Sequence, residues 1–364
     1  MKFKLSLLTI LFSIYSYSQC FDCGHSIGGH VEDYVVDIDK TMDGIILTIN
    51  PNQGWGRSIY KYDFNCNLLW SNNFELDNGN SSDGMSFFDT TVDDNNNIYS
   101  IISNSRGGEV VEGFTIERGN SLIKMNANGN IEWIQKISDE YYLKRKIHFW
   151  KGNIYVVGQI DPGISTNIGL TIPNGLRSQY FIAKFDLLGN LNSAEQFGGN
   201  SNEIFLDSQI DENGNIYFTG LVRSTSSSAN VISLLNKVDS NLGLIWSREL
   251  SNNPPDRSFS PMTLYYNNSN GKLYVWSKYY ISANFYNNNI AVSNDCDVGS
   301  VVMEISKSTG DLENYKVIDN CGFLGSVGNG TGNVEQKSFI THEGSNLYIL
   351  SSFRGEITIG SETL

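Results

Sequence analysis

One phrase recurs along the chain and constrains the fold more than any other feature. "DNNNIYSIIS", with Tyr99, returns as "KGNIYVVGQ" (Tyr155), "ENGNIYFTGL" (Tyr217), "NGKLYVWSK" (Tyr274) and "GSNLYILSS" (Tyr348). A diverged first copy, "MDGIILTIN", has Ile46 in the tyrosine place. A second phrase interleaves with the first: "SIYKYDFNCNLLW", "SLIKMNANGNIEW", "YFIAKFDLLGNLN", "SLLNKVDSNLGLIW" and "VVMEISKSTGDLE". Self-similarity at intervals of roughly 40–60 residues is the signature of a propeller or an array.

Each unit reads as four short strands. Ile216–Thr219 and Asn153–Val157 are β-branched and aromatic, at strand length. Between such segments lie "DENGN" (Asp211–Asn215), "NANGN" (Asn126–Asn130) and "DLLGN" (Asp186–Asn190), where Asn and Gly supply the positive φ of tight hairpin turns. No window carries an apolar period of 3.6 with caps, so the reading is all-β. A small four-stranded sheet buries both faces only by packing against its neighbours in a ring. The expected fold is therefore a β-propeller of four-stranded blades. About six blades are visible, the last stopping after two strands at "GEITIGSETL".

The repeats resemble the seven-bladed β-propeller repeat family of secreted bacterial proteins. The resemblance rests on the pattern "GG…D…D..GNIYVTG" followed by "FIAKFD..GNL.W". It is best preserved where "YFIAKFDLLGNLNSAEQFGG" leads into "DENGNIYFTG", and it covers essentially residues 19–364. Some copies depart from it: Ile45-Ile46 replaces Ile-Tyr, and Glu304 stands where other copies have Lys61, Lys124, Lys184 and Lys237. The resemblance implies a propeller and export, including type IX secretion of a cargo whose sorting domain is not among these residues. It implies no reaction. The "CGHSIGGHVEDYVV" segment resembles an outer strand plus a blade entry, so it is expected to help complete the last blade, in a chain that is truncated or continues past Leu364.

The N-terminus agrees with export. Lys2 and Lys4 precede an apolar run from Leu5 to Tyr15, and Ser16 and Ser18 set the small-residue spacing of signal-peptidase cleavage before Gln19. Residues 1–18 are thus read as a signal peptide. The run is too short to cross a bilayer, and no later stretch is long and apolar enough. The formal net charge is −14, which opposes nucleic-acid binding, since phosphate contacts need clustered Lys and Arg. All five cysteines lie after the signal peptide, where disulfides persist. Cys296 with Cys321 is the most plausible pair, while Cys20, Cys23 and Cys66 leave one over and an open question, with Cys23 and Cys66 as candidates.

"QCFDCGHSIGGH" crowds two cysteines and two histidines into twelve residues, yet it fits no known chemistry well. Gly24 separates Cys23 from His25, which spoils a haem-attachment motif, and a single residue between the ligand pairs is too little for a structural zinc site. Gly28-Gly29 match Gly198-Gly199 of another copy, which gives the segment a structural role. The Asp/Asn turns superficially resemble calcium loops but lack the glutamate at position twelve. His25, His30, His148 and His342 are the only histidines, and no Gly-x-Ser-x-Gly or phosphate loop accompanies them. Neither a metal nor a cofactor is expected. Trp70, Trp133 and Trp246 recur at one place in three copies, which marks packing between blades.

Variation is concentrated in the connections between second and third strands. These are Pro51–Arg57, Asn104–Gly119, Asp161–Arg177 and Tyr279–Asp297. Variable loops on a fixed scaffold are where function is usually placed. Trp55, Tyr280 and Tyr286 are the aromatic candidates for stacking on a sugar or a protein partner. The expected function is an exported, monomeric binding or structural module at the cell surface, with an unassigned glycan or protein as partner. The alternatives are a carbohydrate-active propeller enzyme using loop carboxylates, and a nonfunctional fragment of a larger surface protein.

Overall fold

The computed structural model describes residues 33–51, 57–74, 84–139, 145–173, 177–199, 201–223, 231–253, 260–280, 282–285, 288–291, 298–318, 339–343, 346–350, 358–359 and 362–363. Its core is five four-stranded antiparallel blades. Blade 1 comprises β1 (Asp33–Lys40), β2 (Gly44–Pro51), β3 (Arg57–Asp63) and β4 (Leu68–Phe74). Blade 2 runs through β5 (Met85–Val92), β6 (Ile98–Asn104), an inserted hairpin of β7 (Glu109–Val111) and β8 (Phe114–Ile116), then β9 (Gly119–Met125) and β10 (Ile131–Ser138). Blade 3 is β11 (Arg145–Trp150), β12 (Asn153–Ile160), β13 (Gln179–Asp186) and β14 (Leu191–Phe197). Blade 4 is β15 (Asn202–Ile210), β16 (Ile216–Arg223), β17 (Val231–Val238) and β18 (Leu244–Asn253). Blade 5 is β19 (Ser260–Asn267) and β20 (Lys272–Tyr280), an inserted hairpin of β21 (Ser282–Phe285) and β22 (Asn288–Ala291), then β23 (Val298–Ile305) and β24 (Leu312–Ile318). The pair β25 (Phe339–Glu343) and β26 (Asn346–Leu350) follows, and then the short pair β27 (Thr358–Ile359) and β28 (Glu362–Thr363).

The sequence repeat maps onto this order: each Ile-Tyr phrase lies in a second strand, and each Lys-containing phrase in a third. In β6, β12 and β16 nearly every side chain is buried, as expected for central strands covered on both faces. The first strands contact one another from blade to blade, β1 with β5, β5 with β11, β11 with β15 and β15 with β19, so they are innermost. Four apolar clusters fill the seams between consecutive blades. Ile46, Phe74 and Phe87 belong to the first, Tyr99 and Phe181 to the second, Tyr155 and Phe218 to the third, Tyr217 and Met303 to the fourth. No single blade owns a core, which is why the ring is the folding unit.

The tryptophan stripe supplies one lock at these seams. In every complete blade a β-bulge opens the fourth strand, and in three blades a tryptophan follows it. Trp70 donates Nε1–H to Ala127 O at 3.0 Å, and Trp133 to Leu187 O at 3.3 Å, each in the third-to-fourth turn of the next blade. A Cβ at Gly129 would lie 2.7 Å from Trp70 and one at Gly189 3.3 Å from Trp133, while Gly310 faces Trp246 in the same way. Gly129 has φ +83°, so the turn needs glycine both for its backbone and for the indole that lies on it.

Antiparallel order fixes two unlike faces. First-to-second and third-to-fourth turns share one end, here called the turn face; second-to-third and blade-to-blade links share the other, the connection face. On the turn face, Asp63, Asp93, Asp186, Asp211 and Asp239 each accept two main-chain amides of their own turn. Asp93 Oδ1, for example, takes Asn95 N and Asn97 N at 2.8 Å. These carboxylates make Asx turns, in agreement with the hairpin reading over the calcium reading.

Candidate functional site

The long connections do not simply project as loops. In blade 2 the β7–β8 hairpin buries Val111 and Ile116 in the first seam cluster, and the Glu112 carboxylate at its tip accepts Asn72 Nδ2–H at 2.7 Å and Ile131 N–H at 3.0 Å. In blade 3 the connection after β12 lies on the edge of blade 2. Thr166 bridges Ser138, Asn167 N donates to Ile137 O at 2.9 Å, and Ile168 and Ile172 are buried. In blade 5 the β21–β22 hairpin joins the outer strand of blade 4 through Ser251 and Phe285. Three variable segments thus reach back to the preceding blade, and two of them bury apolar side chains in the seam between the two blades. They also cover edge strands that would otherwise offer free backbone groups.

Of the aromatic candidates, Tyr280 ends β20, paired with Val298. Its side chain, and all of Trp55 and Tyr286, lie outside the described residues, as do Cys23, Cys296 and Cys321. Cys66 sits in the β3–β4 turn and is disulfide-bonded.

The structure brings together a polar cluster on the innermost strands that the sequence motifs do not reveal. Asp37, Asp89, Lys146, Asp207 and Thr263 occupy one register position in blades 1 to 5, opposite Thr48, Ile101, Val157, Thr219 and Trp276. In blades 1, 2 and 4 a bulge precedes the aspartate and turns its carboxylate to the next blade. Asp37 accepts Thr90 N–H at 2.9 Å, Asp89 accepts Ile147 N–H at 2.9 Å, and Asp207 accepts Leu264 N–H at 2.8 Å. Blade 3 has neither the bulge nor the aspartate. There Lys146 reaches Asp89 Oδ1 at 2.9 Å and Asp207 Oδ1 at 3.9 Å, and Ser208 N, which would have met an aspartate, is taken by Oδ1 of its neighbour Asp207 at 2.9 Å. Burial alone lowers the Lys146 pKa, but Asp89, Asp207 and Asp37 together outweigh it and hold the ammonium above its ordinary value.

His148 is two residues on, with Nε2 2.8 Å from Ser208 Oγ. A serine–histidine contact invites a hydrolytic reading, which the surroundings refute. Ser208 is 0% exposed, so no carbonyl can approach its hydroxyl. Burial, reinforced by the positive charge of Lys146 and opposed by Asp37, presses the His148 pKa down to about 3, far from the value near 7 that suits a general base. Ser208 and His148 are a structural hydrogen bond on the axis. Thr48, Thr90 and Ser100 extend the same buried polar layer across the first seam, with Oγ to Oγ distances of 3.0 and 3.1 Å. One signal in the sequence points to this layer: Asp89 in "FFDTT" and Asp207 in "FLDSQ" both stand ten residues before the tyrosine of the Ile-Tyr phrase, while Asp37 in "VVDID" and Lys146 in "RKIHF" stand nine residues before Ile46 and Tyr155.

Five seam-packed blades around a charged axial layer define the class: a β-propeller. No family model matches the chain, and no curated protein matches it. Among solved structures it is similar to the polysaccharide lyase Uly1, at 8% identity over 94% of this chain and 91% of that one, with a TM-score of 0.49. It is similar also to a protein of unknown function from Dyadobacter fermentans, at 9% identity over 79% and 97% of the two chains (TM-score 0.43), and to a luciferin-regenerating enzyme at 13% over 68% and 71% (TM-score 0.36). Likeness at this level carries no activity over to this chain.

Proposed function

We propose that the protein is an exported β-propeller that serves as a binding or structural module at the cell surface and meets a glycan or protein partner on its connection face. The observation that carries this reading is the inequality of the two faces. On the turn face, five described aspartates are consumed by their own turns, and repeat follows repeat with little change. The links that leave from the connection face differ in length and sequence from blade to blade, which is how binding surfaces are commonly built. Trp55, Tyr280 and Tyr286 belong to those segments and are the proposed stacking residues. The −14 charge favours a neutral or cationic partner over an anionic one. The test is a glycan array probed with the purified protein, followed by mass analysis of the bound glycans. Saturable binding with intact glycans supports a module; shortened or unsaturated products would overturn it in favour of an enzyme.

A further inference from the structure

The outer strands of the blades do not end alike. The edge of β10 is taken by the blade 3 connection, where Thr166 bridges Ser138, and the edge of β18 by β21, where Phe285 pairs with Ser251. On β4 the hairpin tip of blade 2 holds Asn72 through Glu112. Blade 3 differs: among the described residues no strand pairs with the free side of β14. The link of blade 4 in the corresponding place, 224–230, has seven residues, fewer than the ten of the β21–β22 hairpin.

β14 reads LNSAEQF, and after the bulge at Asn192 it is regular from Ser193 to Phe197. Its pairing with β13 puts Ala194 and Gln196 on one face, opposite Ala183 and Phe181, and Ser193 and Glu195 on the other, opposite Lys184 and Ile182. Glu195 and Gln196 are exposed and Ser193 is half-buried, and among the described residues none of the three makes a side-chain hydrogen bond or ion pair. Edge strands are commonly guarded by charge or proline. β10 carries Glu132 and Lys136, β18 Arg248 and Glu249, and β24 Glu313 and Lys316, whereas β14 has no proline and a single charge, Glu195. An open edge with free main-chain and side-chain hydrogen-bonding groups is built to take another extended strand.

We infer that this strand is β14 of a second copy of the chain, paired antiparallel about a two-fold axis at Ala194. An antiparallel ladder joins residues whose main-chain groups both point outward, so the axis passes through a residue and not between two. At Glu195 it would oppose two carboxylates, and at Ser193 it would set Ala194 against the bulged Asn192. At Ala194 two methyl groups meet, and the Ser193 hydroxyl stands as donor opposite the carboxylate of Glu195 of the partner subunit, twice by symmetry. Blades radiate from the propeller axis, so the segments added to blades 2 and 4 lead away from this edge. The pairing inverts one copy relative to the other, so the two connection faces look in opposite directions and both stay open. A reversible pair thus takes the place of the monomer expected from the sequence. The inference goes beyond the binding role proposed above and stands without it.

The experiment is sedimentation equilibrium of the folded protein from about 1 to 500 µM, the range for an edge contact smaller than a standard interface. The expected result is a weight-average mass that climbs with concentration from that of one chain toward that of two. Ser193→Lys, which sets an ammonium opposite Glu195 twice per pair, should tighten association about fivefold, and Ser193→Glu should weaken it by about the same factor. Met42→Lys makes the same change of charge at a 70% exposed residue of blade 1 and should shift association by less than about twofold. Circular dichroism melts confirm that each variant is folded. A single-chain mass at every concentration would overturn the inference and leave the edge to a strand of another protein. A dimer on which Ser193→Lys and Met42→Lys act alike would overturn it as well.

Discussion

Lys146 Nζ lies 2.9 Å from Asp89 Oδ1, an ammonium on the innermost strand of one blade against a carboxylate of the blade before. Asp207, from the blade after, is 3.9 Å from the same nitrogen. One cation thus joins three blades at the position where blades 1, 2 and 4 carry Asp37, Asp89 and Asp207. Asp89 and Asp207 are buried and Lys146 is partly so, and such charges contribute little when complete but are costly to break. Lys146→Met should therefore destabilise the protein by roughly 3 kcal/mol, read as a lower urea midpoint at pH 7, whereas Lys146→Arg should keep most of the stability. Because the folded-state pKa of Lys146 is raised, its stabilisation is complete below the unfolded value of about 10.4 and is lost as pH rises beyond it. An unchanged midpoint in Lys146→Met would refute the role of the cluster.

His148 gives an acid-side prediction. Its folded pKa is lowered to about 3, so the folded chain resists a proton that the unfolded chain accepts below about 6.5. Stability from the neutral ring is full above that unfolded value and declines as pH falls toward 3, by an amount on the order of 4 kcal/mol at the limit. His148→Gln should lose less stability than the parent between pH 7 and pH 4. Parallel stability-versus-pH curves for the two would contradict this.

The tryptophan–glycine lock predicts a graded pair of substitutions. Gly129 and Gly152 both have positive φ, +83° and +74°, but only at Gly129 would an added methyl meet an indole, 2.7 Å from Trp70. Gly152→Ala should cost about 1 kcal/mol of backbone strain, and Gly129→Ala about 1–3 kcal/mol more, as expected for overpacking. Thermal melts of the two variants decide the point. Trp70→Ala in the Gly129→Ala background should give a less than additive loss.

Export makes a prediction that needs no structure. Expressed with its leader in a bacterial host, the protein recovered outside the cytoplasm should begin at Gln19. Recovery only from the cytoplasm, with Met1 or Lys2 at the N-terminus, would contradict the reading.

What could be read in the sequence was what the repeat carries within one copy. The second strands and the Asn/Gly turns appear as short-range patterns in copy after copy, and Trp70, Trp133 and Trp246 in three of them, and all take their expected places in the blades. The axial layer escaped because its members meet across seams, as Lys146 meets Asp89 and Asp207. Bulges at Val36, Phe88 and Leu206, which no residue type announces, set their register. The β7–β8 hairpin was hidden inside a connection of Asn104–Gly119 because strands of three residues leave no alternation to read. Its two-residue tip is Glu112-Gly113, with φ +50° and +80°, and glutamate stands where asparagine or aspartate before the glycine would have signalled such a turn.

The central claim is that a partner is met on the connection face without turnover. Its most direct test is binding of the strongest array ligand by the parent protein, by Trp55→Ala and Tyr286→Ala, and by Leu188→Ser, a turn-face residue that is 75% exposed. The account predicts that the first two variants weaken binding by about tenfold, the loss of one stacked ring, that Leu188→Ser binds like the parent, and that the ligand is recovered intact. Binding lost only in Leu188→Ser, or a ligand recovered in pieces, would contradict it.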